Sequence, residues 1–220
     1  NMRHPDALKF EGPGLYEGLD RLFTGPVAAP GTYRVRLHVG RETREVACLI
    51  VKDPRVVAAT QADLDAQQTL ALAIRDTLST AHRTITAAHR LREQVEALAK
   101  HAGPGRVASA ARPLARRLAA VQEALVQVKA KSRQDTMNFG AKVNAKLGGL
   151  SLAVASADCA PTRAMGEVHA HLATQVDAEV ARLAALERTE VPAFDRLVRA
   201  AGLTALGRKP VAKRAGRRRR

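Results

Sequence analysis

Residues 51–55, Val51-Lys52-Asp53-Pro54-Arg55, divide the chain into two unlike patterns. Before them apolar and polar residues alternate with the two-residue period of a half-buried strand. After them apolar residues recur every three and four positions, the period of an amphipathic helix. Asp53-Pro54 is itself a boundary, because proline has no amide hydrogen to give a β ladder. Residues 1–55 form the strand side, whereas an immunoglobulin-like sandwich takes roughly 100 residues and seven strands to close its core. The strand part is therefore expected to be incomplete. The chain also begins at Asn1 rather than Met, and it reads as the C-terminal piece of a longer protein.

Upstream of the junction, Thr32–Val39 and Thr43–Val51 are predicted to pair antiparallel through a tight connection at Gly40-Arg41-Glu42. Tyr33, Val35, Leu37 and Val39 share one face of the first strand, and Arg34, Arg36 and His38 share the other. Gly25-Pro26 and Pro30-Gly31 punctuate the approach; Met2–Thr24, rich in Gly and Pro, reads as loop with one short strand at most. A lone hairpin is marginal in water, so its apolar face requires further strands or the helices that follow.

Downstream, Thr60 and Asp63 form a capping-box-like start for a long helix. Ala71, Ile74, Leu78, Ala81, Ile85, Ala88 and Val95 line one stripe of it, and Gly103-Pro104-Gly105 stops it. Leu114, Leu118, Val121, Leu125 and Val128 then give the clearest periodicity in the chain, with Pro113 placed in the first turn of that helix. Ser132–Asn138 reads as polar loop. Val143, Leu147, Leu150 and Val154 mark a weaker helix, and Asp158 to Pro161 resets the chain. Met165, Val168, Leu172, Val176, Val180, Leu183 and Leu186 form the last stripe, which Pro192 is expected to kink or break before Phe194, Leu197 and Val198. The two middle helices together match each outer helix in length. The fold class expected is α+β, mainly α: an incomplete antiparallel β-sandwich seen as one hairpin (residues 1–55), then an up–down–up helical bundle with a broken middle helix (56–207). Its core is expected to contain Ile74, Leu78, Ile85, Leu118, Val121, Leu125, Leu172 and Leu183.

Composition fits helices that approach closely: 46% of residues are apolar, only 3% are aromatic and Trp is absent. The net charge of +15 is uneven. Residues 208–220, RKPVAKRAGRRRR, hold eight cations and no acid, more than half of the excess. Such a segment has no apolar stripe to offset the entropy of folding and is expected to be a disordered basic tail. Arg208, Lys209, Lys213, Arg214, Arg217, Arg218, Arg219 and Arg220 are thus the candidate polyanion-binding residues, for nucleic acid or an anionic surface. Without interleaved aromatics, base stacking is not expected. Arg112, Arg116 and Arg117 are the place on the bundle where a second basic site would lie.

Catalytic and metal constellations do not emerge. His82 and His89 share a helix face but sit about 10 Å apart along the axis, too far to hold one ion. His169 and His171 point in different directions around their helix. The histidines read as solvated helix flanks. No HExxH, CxxC, GxSxG, GKS or GKT occurs, and Gly12, Gly14 and Gly18 lack dinucleotide-loop spacing. Gly148-Gly149 reads instead as a site of close backbone packing. Cys48 and Cys159 read as unpaired thiols, no apolar run reaches the ~18 residues of a membrane span, and no cofactor is implied.

Several segments, taken in order, resemble the C-terminal region of bacterial sortilin-type BNR-repeat β-propeller proteins often labelled glycosyl hydrolases. They are NMRHPDA, TGPVAAPGTYRVRLHVG, VKDPRV, ATQADLDAQ, IRDTLSTAH, LVQVKAKSRQDTMNFGAKVNAKLGGL and the SADCAPT loop, from Asn1 to about Leu206. The resemblance implies that a propeller and a fibronectin- or immunoglobulin-like sandwich precede this helical module. The missing N-terminal propeller would then be its partner, holding any catalytic residues, and the location extracytoplasmic if a signal peptide leads the chain. The Arg-rich end departs from that pattern. The function expected is a non-catalytic accessory or spacer module; the alternative is polyanion binding through the tail.

Overall fold

The computed structural model describes residues 2–15 and 19–203. A two-stranded antiparallel sheet, β1 (Gly31–Val39) and β2 (Glu42–Ile50), precedes four helices: α1 (Gln61–Ala102), α2 (Arg106–Leu125), α3 (Val143–Val154) and α4 (Arg163–Ala200). The protein is α+β and mainly α, as the two periodicities predict.

α1 begins where its capping box is written. The Thr60 amide donates to Asp63 Oδ2 at 2.8 Å and Thr60 Oγ1 accepts from the Asp63 amide at 3.2 Å, satisfying two donors that a helix start leaves open. Its stripe is dry: Ile74, Ala81, Ile85, Ala88 and Val95 have no exposed surface. Gly103 and Gly105, at φ 70° and 152°, turn the chain back into α2. α3 continues in the direction of α2, because Gln67 near the start of α1 donates to the carbonyls of Val154 (2.7 Å) and Ala157 (2.5 Å) at the end of α3. α4 then runs back along the whole bundle. α2 packs with Ala88, Leu91 and Val95 of α1 and with Leu183, Val191 and Phe194 of α4; α3 packs with the earlier halves of both. The eight core residues named from periodicity are all buried.

Several details differ from expectation. α2 starts at Arg106, so Pro113 lies inside it rather than in its first turn. Val107 and Ala111 extend the buried stripe upstream of Leu114, and their burial offsets the hydrogen bond that proline removes. Of the kink or break expected at Pro192, the break does not occur: α4 stays helical through it, with buried Val191 and Phe194 on both sides, while Val168 is 46% exposed and outside the core. The polar stretch after α2 contains a 3-10 turn at Arg133–Met137.

A further finding concerns residues 1–55, expected as the C-terminal part of a sandwich whose apolar face needs more strands or the helices that follow. Their first half belongs to the helices. Ala7, Phe10, Leu19 and Phe23 are buried in the same core as Ile74, Leu78, Ile85, Leu147 and Leu172. This strap is closed on itself by Ala7 N–H to the Phe23 carbonyl and His4 N–H to the Pro26 carbonyl, both 2.9 Å, and by a short 3-10 turn at Leu19–Phe23. It is fastened to α1 by Leu8 N–H to Ser79 Oγ (3.2 Å), Glu11 N–H to Thr86 Oγ1 (3.0 Å) and an Arg90–Glu11 ion pair (2.6 Å). Glycines admit it, Gly12 and Gly148 among them. A Cβ on Gly12, at φ 115°, would stand 2.9 Å from the His89 ring and 3.0 Å from the Gln122 amide; one on Gly148 of α3 would stand 2.7 Å from Leu22 Cβ. Of the pair expected to pack closely, Gly148 does so against the strap, while a Cβ on Gly149 would meet nothing within 4 Å.

Candidate functional site

The hairpin is the part of the described structure whose surface is least settled by the fold. Its register pairs Tyr33 with Cys48, Val35 with Val46 and Leu37 with Arg44, joined by the two-residue connection Gly40-Arg41. Alternation then puts Tyr33, Val35, Leu37, Val39, Val46, Cys48 and Ile50 on one face, with Arg44 and Glu42, themselves an ion pair at 4.0 Å, at its tip. The foot of that face is anchored: the Tyr33 hydroxyl donates to the Ala29 carbonyl at 2.8 Å, and Gln61 Nε2 to the Pro30 carbonyl at 2.8 Å. Beyond the foot it is bare. Val35, Leu37, Val39 and Val46 are 50–66% exposed. Ile50 at the foot also lines a recess of about 280 Å³, shared with Met2, Val27, Leu64 and Val154.

The opposite face is largely paired within itself. Glu45 takes Arg36 at 2.7 Å and Arg34 at 3.1 Å, and His38 Nδ1 lies 2.9 Å from Thr43 Oγ1. Such exposed pairs contribute little stability, about 0–1 kcal/mol each, but they leave that face mostly polar, with Leu49 as its one exposed large apolar side chain. Among the described residues neither strand has a second neighbour, so both outer edges keep unpaired backbone groups. An apolar face beside two open edges is the chemistry that another sheet satisfies.

The charged positions fall differently from the expectation. Arg208, Lys209, Lys213, Arg214, Arg217, Arg218, Arg219 and Arg220 lie outside the described residues. Of the three bundle arginines, Arg112 and Arg116 line a groove between α1 and α2, together with Arg92. Arg117 turns away and pairs with Glu190 of α4. One residue turns the helix by about 100°, so adjacent arginines cannot share a face.

His82 departs furthest from expectation. Expected as a solvated flank, it has no exposed surface. Its ring stands between Phe10, with centroids 5.0 Å apart, and Phe23 at 4.5 Å in an edge-on arrangement, and Nδ1 bonds the Leu8 carbonyl. Burial pushes its pKa from 6.5 down to about 4, against the opposing pull of that carbonyl. The ring is thus neutral at pH 7 and donates through Nδ1. The sequence carries a signal for this: His82 follows Leu78 by four and precedes Ile85 by three, on the apolar stripe itself. His169, half-buried, bonds Thr77 at 3.0 Å, and its pKa is also lowered, chiefly by burial. Cys48 is half-buried and Cys159 exposed, and both are unpaired. Among the described residues no three His, Cys, Asp or Glu side chains are placed to hold a metal ion, and no helix is long and apolar enough to cross a membrane. No protein-family model, curated protein or solved structure matches this chain.

Proposed function

We propose that this chain is a non-catalytic accessory module whose helical bundle presents a β-hairpin to complete a sandwich with strands from elsewhere in a longer polypeptide. The observation that carries this reading is the cluster of exposed Val35, Leu37, Val39 and Val46 on one face of β1 and β2, beside two open edges and held at its foot by Tyr33 and Gln61. A solvated ornament would not need four exposed branched aliphatics on one face, since large apolar patches mark interaction sites. The segmental resemblance to BNR-propeller proteins supplies the class of partner: a sandwich next to a propeller, with the chemistry of the whole residing there.

The test is amide hydrogen exchange on β1 and β2, in this chain and in a version extended upstream through its reading frame. Slower exchange at the outer edges of both strands in the extended protein is the expected result. An upstream frame without strand-forming sequence, or unchanged exchange, overturns the reading.

A second reading rests on the eight cations of residues 208–220. It makes this end a sequence-indifferent polyanion binder. If five to eight phosphates of duplex DNA are neutralised, log affinity falls with log salt at a slope of about −4.5 to −7. Removing residues 208–220 should abolish that binding, and absence of binding by the intact chain at roughly 50 mM salt rejects it.

A further inference from the structure

The groove between α1 and α2 is built unlike the rest of the bundle surface. Ala108, Ala111, Ala115 and Ala119 lie three, four and four apart along α2 and, with Ala99 of α1, give it a floor of methyl groups. The stretch from Ala108 to Ala119 covers about 17 Å, three helical turns. No residue of α4 lines it; the other side of α2, with Leu114, Leu118 and Val121, faces α4. The volume is about 480 Å³. With no side chain longer than alanine on the floor, another helix could approach at the short end of the usual 8–10 Å axis separation.

The rim decides what kind of helix. Arg112 and Arg116 are exposed, one turn apart, and neither makes an ion pair among the described residues. Arg92 stands across from them, and Glu96, the one acid on the groove, lies 3.6 Å from Arg92. α2 as a whole carries four arginines against one glutamate.

We propose that this groove docks an acidic amphipathic helix of a partner protein, laid along α1 and α2 with its apolar stripe on the alanines. Carboxylates one turn apart on that helix meet Arg112 and Arg116, whose guanidinium forks suit carboxylate oxygens. A nucleic-acid backbone fits less well, because two arginines beside an apolar floor offer few phosphate contacts.

The experiment titrates the intact chain into two labelled peptides of about 20 residues, sharing one Leu/Ala stripe but flanked by Glu in one and Lys in the other. The Glu peptide is expected to bind at least about tenfold more tightly, a difference of 1.4 kcal/mol. Residues 208–220 attract any acidic peptide, so variants in the groove separate its contribution from theirs. Ala115→Phe, which fills the floor, should weaken the Glu peptide about tenfold. The double change Arg112→Glu with Arg116→Glu should weaken it by a similar factor and improve the Lys peptide. Thermal melts by circular dichroism check that both variants fold; if Ala115→Phe does not, the double variant decides, since both its positions are exposed. Affinities unchanged within twofold assign the binding to the tail and overturn the proposal. So does tight duplex-DNA binding that needs Arg112 and Arg116 but tolerates Ala115→Phe, which marks a polyanion surface.

Discussion

The two halves of the bundle close their cores by different means. Around Val95, Leu118 and Phe194 three helices suffice: α2 supplies a complete stripe from Val107 to Val121, and the core there is aliphatic with one phenylalanine. Around Ile74, Leu78 and Leu172 the middle position is held by α3, only 12 residues long and with Gly148 on its buried side. A short helix with a missing side chain leaves space. The strap fills it with Phe10, Leu19 and Phe23, and a histidine is enclosed between the two rings. A helical bundle can thus lack part of one helix when irregular chain provides large side chains at the right depth. The same comparison explains why the strap needs hydrogen bonds to Ser79, Thr86 and His82: outside regular structure its buried backbone groups must find side-chain partners.

The comparison breaks most visibly at the strap. Phe10→Ala should destabilise the protein by about 3–5 kcal/mol, as a buried aromatic deletion does. A loss under about half a kcal/mol in chemical denaturation, the size of a surface change, would show that the strap is a covering and not part of the core. In the other half, Leu118→Ala should cost about 2–5 kcal/mol. There hydrogen exchange should rise in α2 and the end of α4 while the strap stays protected.

Acid should act on the strap half alone before it acts on the rest. His82 has a folded pKa of about 4 against 6.5, so protonation favours the unfolded chain. The stability is complete above pH 6.5 and declines as pH falls toward 4, by up to about 3 kcal/mol for a shift of this size. His169 is shifted in the same direction. The lowered carboxyls of Glu11, Asp53, Asp63 and Asp135 act in a more acid window, present above their ordinary 4.5 and 3.8 and lost below. His82→Gln should therefore flatten stability between pH 6.5 and 4.5. An unchanged slope in that variant assigns the loss to another group. The smallest effect belongs to the hairpin, where Val35→Thr should move stability by less than about half a kcal/mol, because its side chain is already in water. A larger loss in the isolated chain would mean that the apolar face is already covered.

Much of the fold is legible in the sequence because helices write their burial in their period. Ile74, Leu118, Leu125 and Leu183 announce themselves by spacing, and Thr60 and Asp63 announce a start. The strap is not legible, since Phe10 and Phe23 meet α1 across long stretches of sequence and carry no period of their own. Residue type alone misplaces His82 on the surface, although its place between Leu78 and Ile85 argues for burial. Proline favours a helix beginning, which makes Pro113 look like one, and the buried Val107 and Ala111 upstream outweigh that preference. At the candidate site, alternation gives the apolar face of β1, while the pairing register supplies Val46, Cys48 and Ile50 from β2 and sets Arg44 and Glu42 at the tip of the same face. The arginines of α2 are visible as a cluster; separating Arg117 from Arg112 and Arg116 requires the helix phase.

The strap also sets the order in which the molecule can assemble. Leu8 bonds Ser79 and Glu11 bonds Thr86, 71 and 75 residues away, whereas α1 and α2 are joined by a turn of three residues. Closing a long loop is costly in entropy until its contacts form, so the α1–α2 hairpin should fold early and the strap should seat last. Phe10→Ala should accordingly speed unfolding and leave the folding rate nearly unchanged, and slowed folding in stopped-flow measurements would place the strap in the nucleus instead. During synthesis the strap leaves the ribosome before the helices that hold it, and it waits while more than a hundred residues follow before α3 and α4 can complete its seat.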